Sequence, residues 1–231
     1  MRCPWCANPE GMRAYTGEIP EGLDSGRAIA TPEGKLFVHT PESLLAEAIS
    51  CSPMFYPDGG VTFTGGEPTL QMDALHETLS LLHEAGISTA LESNASHREL
   101  PRLFGTVDFL MLDLKQAYPD RHLEITGVHA ERVLENIRAA AEAREQLAIR
   151  IPLIGGYNSS DEDMAAFCSF LSTLPKKPGI TLELLSYHEY GVDKWKKLGL
   201  EYTVKDAKIT RERYAECVSA LAASGVNIIN S

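Results

Sequence analysis

The sequence predicts an α/β fold, in which a parallel sheet carries helices on its outer face and curves part way into a barrel. Three observations carry this expectation. Short apolar runs alternate with amphipathic runs of helical period along most of the chain, as strands buried beneath covering helices do. Polar residues stand where the apolar runs end: Glu67, Glu92, Asp113 with Lys115, and His188. In a β/α barrel those C-terminal strand ends form one rim, and active sites are built on it. The length of 231 residues suits one such domain, with about 70% of the unfolded surface buried on folding.

The elements follow in chain order. Residues 40–50 form a helix with Thr40 as N-cap, Pro41 at the first helical position, and Leu44, Leu45, Ala48 and Ile49 on one face. Residues 60–64 (GVTFT) read as a buried strand running into the glycine turn GGEP. Residues 70–86 are a helix with Leu75, Leu79 and Leu82 as its stripe and Gly86 as its C-cap. Strands follow at 87–92 and 107–115, the second apolar almost until it ends in charge. A helix over 130–146 leads to a strand at 147–154, and a helix over 161–174 to a strand at 179–187. A helix over 210–223 and a short strand at 226–230 close the pattern. Residues 7–39 and 116–129 read as long irregular stretches. With no repeats, low-complexity tracts or linkers, residues 1–231 are expected to form a single domain.

Composition narrows the function. Net charge is −11, from 32 acidic and 21 basic residues, which argues against a nucleic-acid partner. No apolar run approaches the ~20 residues of a membrane span, so no membrane partner is expected. The N-terminus lacks the basic-then-apolar layout of a secretory signal. Five cysteines, scattered apart from one close pair, argue against a disulfide framework and for a reducing cytoplasm.

That close pair, Cys3 and Cys6, lies in the opening stretch MRCPWCANPEG. A thioredoxin-type dithiol needs a strand before it and a helix N-terminus after it, and ANPEG is a poor helix start. A structural zinc site needs two further ligands at matching spacing, whereas Cys51, Cys168 and Cys217 stand singly. The third use of such a pair is as iron–sulfur ligands.

Here the wider sequence matters. CPWCANPEG (3–11), GGVTFTGGEPTLQ (59–71), LMLDLK (110–115), IRIPLI (149–154) and YHEYGVDKW (187–195) stand in the order and spacing of a known family's motifs. Over essentially its whole length the chain resembles the glycyl-radical-enzyme activating enzymes, which are radical S-adenosylmethionine proteins. The resemblance implies a partial (β/α)6-type barrel of the radical S-adenosylmethionine family. The family's cluster motif is CxxxCxxC, and Cys3 and Cys6 match its second and third cysteines. The first would lie two residues before Met1, so the resemblance implies a domain incomplete at its N-terminus and lacking the first strand. No CxxCxxCxxxC run occurs within 7–59, which points to the compact type without an added ferredoxin-like domain.

The resemblance also implies roles. Cys3 and Cys6 would hold a 4Fe–4S cluster whose open iron chelates S-adenosylmethionine, an electron from it releasing a 5′-deoxyadenosyl radical. Soft thiolates suit iron and lower the cluster's potential. Trp5, Cys6, Ala7, Gly65, Gly66, Glu67, Asp113, Leu114, Lys115 and His188 would line the S-adenosylmethionine site. The two glycines allow close backbone approach, and Glu67 would accept from the ammonium. Asp113 and Lys115 share one side of a strand by the period of two, with Lys115 reaching the cofactor carboxylate. Glu92, Ser93, Met111 and Asp113 would line a monovalent-cation site, although Glu stands at 92 where the best-known member has Asp. No catalytic residue is implied beyond the cluster and cofactor ligands. The expected partners are a pyruvate formate-lyase-like glycyl radical enzyme, as protein substrate, and an electron donor such as flavodoxin or ferredoxin. Arg150, in an apolar strand, needs an anionic or carbonyl partner. GGYN (155–158) departs from the family's usual Pro-Gly at a rim loop.

Each feature alone has a plainer reading: a glycine pair is often only a turn, Asp113/Lys115 a strand-end ion pair, His188 a structural histidine. Two rival functions also stay open. One is an inactive fragment or binding-only relative with an incomplete cluster site. The other is a different radical S-adenosylmethionine enzyme, such as an anaerobic ribonucleotide reductase activase or a deazaguanine-forming enzyme; YHEYGVDKW favours the glycyl-radical group. A chain extended upstream to include Cys-x-Met-Arg-Cys is expected to exceed the 231-residue chain in bound iron and 5′-deoxyadenosine. Equal values in the two would contradict the implied third cysteine.

Overall fold

The computed structural model describes residues 1–12, 26–31, 34–57 and 59–229. β1 (Ala28–Thr31) and β2 (Gly34–Phe37) pair as a small antiparallel hairpin. Helix α1 (Pro41–Cys51) then leads into β3 (Gly60–Phe63), α2 (Met72–Glu84), β4 (Ser88–Ser93) and β5 (Phe109–Asp113). Helices α3 (Pro119–Thr126) and α4 (Ala130–Ala143) precede β6 (Leu147–Leu153), and α5 (Asp161–Ser172) precedes β7 (Ile180–Ser186). The short α6 (Val192–Lys197), α7 (Arg211–Ala222) and β8 (Asn227–Ile229) complete the described chain.

Strands β3 to β8 form one parallel six-stranded sheet in strict chain order. A doubly wound sheet reverses its order at a switch point, whereas a barrel adds each strand beside the last. The strict order is thus that of an open, partial barrel. β8 extends it beyond the five strands expected for the barrel itself.

Strand alternation builds two different faces. Leu91, Leu110, Leu112, Ile149, Ile151, Leu182 and Leu184 are buried in one core cluster with Leu75 and Leu79 of α2, Ile137 of α4, Phe167 of α5 and Leu221 of α7. Between them, at the alternate positions, stand Glu92, Met111, Asp113 and Arg150, all half-buried. The strand register sets Glu92 beside Met111, and Asp113 beside Arg150. One face of the sheet therefore makes the core, and the other collects charge near the C-terminal strand ends.

Helix caps fall where the sequence signals them. Thr40 with Ser43 and Ser160 with Asp163 close capping boxes on α1 and α5, and Thr210 caps α7. Two stretches read as irregular carry structure instead. The described part of 7–39 includes the β1–β2 hairpin, whose four-residue strands are too short to show alternation. The stretch 116–129 contains α3, whose only buried residues, His122 and Thr126, are polar and give no apolar stripe. Its punctuation was nevertheless present: Pro119 opens the helix and Gly127 ends it in the left-handed conformation, at φ 73°. Among the described residues no helix is long and apolar enough to cross a membrane.

Asn158 fastens the loop after β6 to the end of β5. Fully buried, it accepts from the Ile154 amide at 2.7 Å and donates to the carbonyls of Pro152 at 2.7 Å and Lys115 at 2.8 Å. Asn158→Ala would leave three buried backbone groups unpaired, and it is expected to cost about 2–4 kcal/mol of stability in urea unfolding. A loss under ~1 kcal/mol would show that the loop is held by something else.

Candidate active site

Four strand-end segments and the N-terminal loop converge at the C-terminal rim of the sheet. The loop comes first. The Cys6 amide donates to the Cys3 carbonyl at 3.1 Å, closing a tight turn that buries Cys3 beside Trp5, Ile154, Val204 and Ala207. Trp5 itself packs edge-on to Tyr157, with ring centroids 5.2 Å apart, so its indole is part of the wall. Among the described residues no α-helix starts directly after Cys6; Pro9–Met12 form one 3-10 turn, which lacks the helix N-terminus of a thioredoxin-type dithiol.

Close backbone contact fixes this loop on two sides. The Asn8 side chain donates to the Gly65 carbonyl at 3.2 Å, and a Cβ at Gly66 would stand 2.9 Å from the Gly11 carbonyl oxygen. Gly65 adopts φ 123°, which suits glycine. On the other side, Trp195 Nε1 donates to the Cys6 carbonyl at 2.9 Å, and a Cβ at Gly191 would collide with that same oxygen and stand 2.9 Å from Ala7 Cα. Lys194 Nζ bonds Asn8 Oδ1 at 2.6 Å and Glu10 Oε1 at 2.8 Å. The cysteine loop, the glycine turn and the 187–195 stretch are thus in direct contact.

Burial pushes the Cys3 and Cys6 thiols above the ordinary cysteine range, with the Lys115 ammonium pulling both back down. Such thiols are poor nucleophiles at neutral pH, but a bound metal would take the place of their protons. Two sulfurs with a fixed ammonium and a bare glycine turn on the same rim supply part of the donor set of an anionic iron–sulfur group; among the described residues no third His, Cys, Asp or Glu joins them.

Lys115 belongs to a row of alternating charges. Thr64 Oγ1 donates to Glu92 Oε2 at 2.8 Å; Arg150 Nη1 donates to Glu92 Oε1 and Arg150 Nε to Asp113 Oδ1, each at 3.0 Å. Lys115 Nζ completes the row on Asp113 Oδ2 at 2.9 Å. The Lys115 and Asp113 side chains are only 14% and 20% exposed. Burial alone would push the Asp113 carboxyl up, yet Lys115 and Arg150 outweigh it and hold the group below the usual carboxylate range. Burial would likewise lower Lys115, but Asp113 and the two cysteines raise it, so both members stay charged at neutral pH.

Glu67 has a second network. Its Oε1 accepts from Thr69 Oγ1 at 2.5 Å, the Thr69 amide at 3.2 Å and Ser93 Oγ at 2.8 Å, and its Oε2 accepts from the Asn94 amide at 2.8 Å. Glu67 therefore buckles the glycine turn to the end of β4, with most of its acceptor capacity already engaged. Leu114 is fully buried in the core, so only its backbone reaches the rim. His188 is exposed, stacked on Tyr190 at 4.3 Å, and its Nδ1 accepts from the Tyr190 amide at 3.4 Å; it joins neither network. Sequence reasoning missed Asn8, Thr64, Gly191, Lys194 and Trp195 as parts of this assembly. The last three lie inside YHEYGVDKW, so the motif was visible although its packing role was not.

Comparison with known proteins agrees with this geometry. The signature of the Radical SAM superfamily matches residues 1–168. The 4-hydroxyphenylacetate decarboxylase activating enzyme of Clostridioides difficile (strain 630) is 39% identical over 69% of this chain and 51% of its own length. The chain thus spans about half the length of that curated relative. The choline trimethylamine-lyase activating enzyme of Oleidesulfovibrio alaskensis is 30% identical over 89% of this chain and 80% of its own. A crystal structure of a domain of pyruvate-formate lyase-activating enzyme from Bacteroides vulgatus superposes with a TM-score of 0.61 at 29% identity, covering 75% of this chain and 99% of that one. With the sulfur pair, glycine turn and charged row on one barrel rim, the chain belongs to the Radical SAM superfamily, among the activating enzymes of glycyl radical enzymes.

Proposed function

We propose that this rim holds a 4Fe–4S cluster and S-adenosylmethionine, and that the protein installs a glycyl radical on a larger partner enzyme. The observation that carries the reading is the convergence on one rim of the Cys3–Cys6 loop, the bare Gly65–Gly66 turn against which it packs, and the Lys115 ammonium fixed by Asp113. When bound, the cluster and S-adenosylmethionine supply a reductively generated 5′-deoxyadenosyl radical able to take hydrogen from a glycine Cα.

The chain's own residues bind and orient. Cys3 and Cys6 hold iron as thiolates, and Lys115 offsets their charge and attracts the cofactor carboxylate. The Gly65–Gly66 backbone, lacking side chains, lets the methionyl end lie against the turn that Glu67 holds in place. Trp5 and Ala7 shape the wall beside Cys6, and the Leu114 backbone runs between Asp113 and Lys115. His188 reaches the cofactor from the β7 end, its ring braced by Tyr190.

The partner in this reading is a pyruvate formate-lyase-like glycyl radical enzyme, and a flavodoxin or ferredoxin delivers the electron in the cytoplasm. The family relationship supports it, since the relatives are named as activating enzymes of a decarboxylase, a lyase and a pyruvate formate-lyase. The test uses anaerobically reconstituted protein and titration calorimetry. Lys115→Ala is expected to weaken S-adenosylmethionine binding about 10–100-fold and to lower the unfolding midpoint, because Asp113 loses one of its two cations, whereas His188→Ala is expected to weaken binding about 3–10-fold with the midpoint little changed. Unchanged affinity in both variants would remove these residues from the site. Binding without any 5′-deoxyadenosine under reductant would favour a binding-only relative.

A further inference from the structure

The resemblance assigns a monovalent cation to Glu92, Ser93, Met111 and Asp113. Whether these groups fit one can be judged from what each already holds. Glu92 Oε1 and Asp113 Oδ1 each accept from Arg150 at 3.0 Å, and Met111 Sδ lies 3.8 Å from Arg150 Nη1. The remaining oxygens are engaged too, Glu92 Oε2 by Thr64 at 2.8 Å and Asp113 Oδ2 by Lys115 at 2.9 Å. Ser93 Oγ donates to Glu67 instead, at 2.8 Å. Three of the four groups thus converge on one guanidinium, and the fourth is turned to another carboxylate.

Charge counting gives the same answer. The row holds two carboxylates and two fixed cations, so it is neutral as it stands. A further ion would add an uncompensated positive charge among side chains that are mostly out of water. These residues do not fit a free cation while Arg150 is in place.

The sequence explains how the guanidinium comes to be there. Arg150 on β6 and Glu92 on β4 are separated by β5 and offset by two residues along it, about 12 Å apart at the backbone. Glutamate at 92 carries one more methylene than aspartate, extending the carboxylate by about 1.5 Å across that gap. The planar fork of Arg150 then spans two carboxylates at once, through Nη1 and Nε.

We propose that Arg150 is this chain's built-in monovalent cation. Its guanidinium takes the place of a free ion, fixes Glu92 and Asp113, and through Asp113 sets the position of Lys115. Arg150 is on this account a positioning residue. The inference deepens the proposed function but does not need it in every arm of the test, because the ion dependence of unfolding is read without any cofactor.

Thermal unfolding and S-adenosylmethionine affinity are measured in potassium chloride and in tetramethylammonium chloride at equal ionic strength. The wild-type chain is expected to give the same midpoint and, within twofold, the same affinity in both salts. Arg150→Gln leaves Glu92 and Asp113 facing each other, so its midpoint is expected to be several degrees higher in potassium. Arg150→Lys is expected to restore ion independence, which loss of packing alone would not produce. Should Arg150→Gln fail to fold in tetramethylammonium chloride, refolding in potassium chloride is expected to recover it, and no recovery in potassium would count against the proposal. A wild-type midpoint that falls without potassium, or an Arg150→Gln midpoint that is the same in both salts, would overturn the proposal. Wild-type protein that binds no S-adenosylmethionine in either salt contradicts the reading of the rim, a separate failure seen in a separate measurement.

Discussion

Asp113 ends β5 with its two oxygens held by different cations, Arg150 Nε on one side and Lys115 Nζ on the other. Both partners are largely out of water, so neither could be left there alone: removing one member of such a group costs about 3–5 kcal/mol, because an unpaired charge stays behind. Much of the rim follows from this arrangement. Arg150, held by Asp113, reaches Glu92 and orders the end of β4. Lys115, held by Asp113, opposes the effect of burial on the thiols of buried Cys3 and half-buried Cys6.

A second constraint is steric. The cysteine loop can approach the rest of the rim only because three glycines leave their positions bare. Gly11 and Gly66 meet backbone to backbone, and Gly191 lies under the Cys6 carbonyl, where any side chain would collide. The hydrogen bonds from Asn8 and Trp195 then orient a loop whose position those contacts already limit. The resulting surface combines a thiol pair, an exposed glycine turn and a fixed ammonium, which together suit a metal cluster and a zwitterionic cofactor.

The sequence reveals such a site unevenly, for physical reasons. Strands β4 to β7 were legible because burial against helices makes them apolar runs, and polar residues at or just after the ends of β4, β5 and β7 mark where the rim begins. Strand β3, expected to be buried, is instead half-exposed because it is the edge strand of the sheet. Asp113 and Lys115 could be placed together by the period of two alone. The partners of Arg150 could not, since they depend on the register of β4, β5 and β6, which no local pattern encodes. Nothing in the loop GGYN marked Asn158 as an anchor, yet it is fully buried and binds the Lys115 carbonyl. Helices α3 and α6 escaped because one buries only polar side chains and the other is six residues long with none buried.

If the rim works as one electrostatic unit, Asp113 and Lys115 must act together on the cofactor. A double-mutant cycle on S-adenosylmethionine affinity, with Asp113→Asn, Lys115→Met and the pair, measures this directly. The account predicts a coupling of about 1–3 kcal/mol, because Lys115 without Asp113 is no longer held where it is useful and its further loss costs little. Strictly additive effects would contradict it, showing that Lys115 finds its position without the carboxylate.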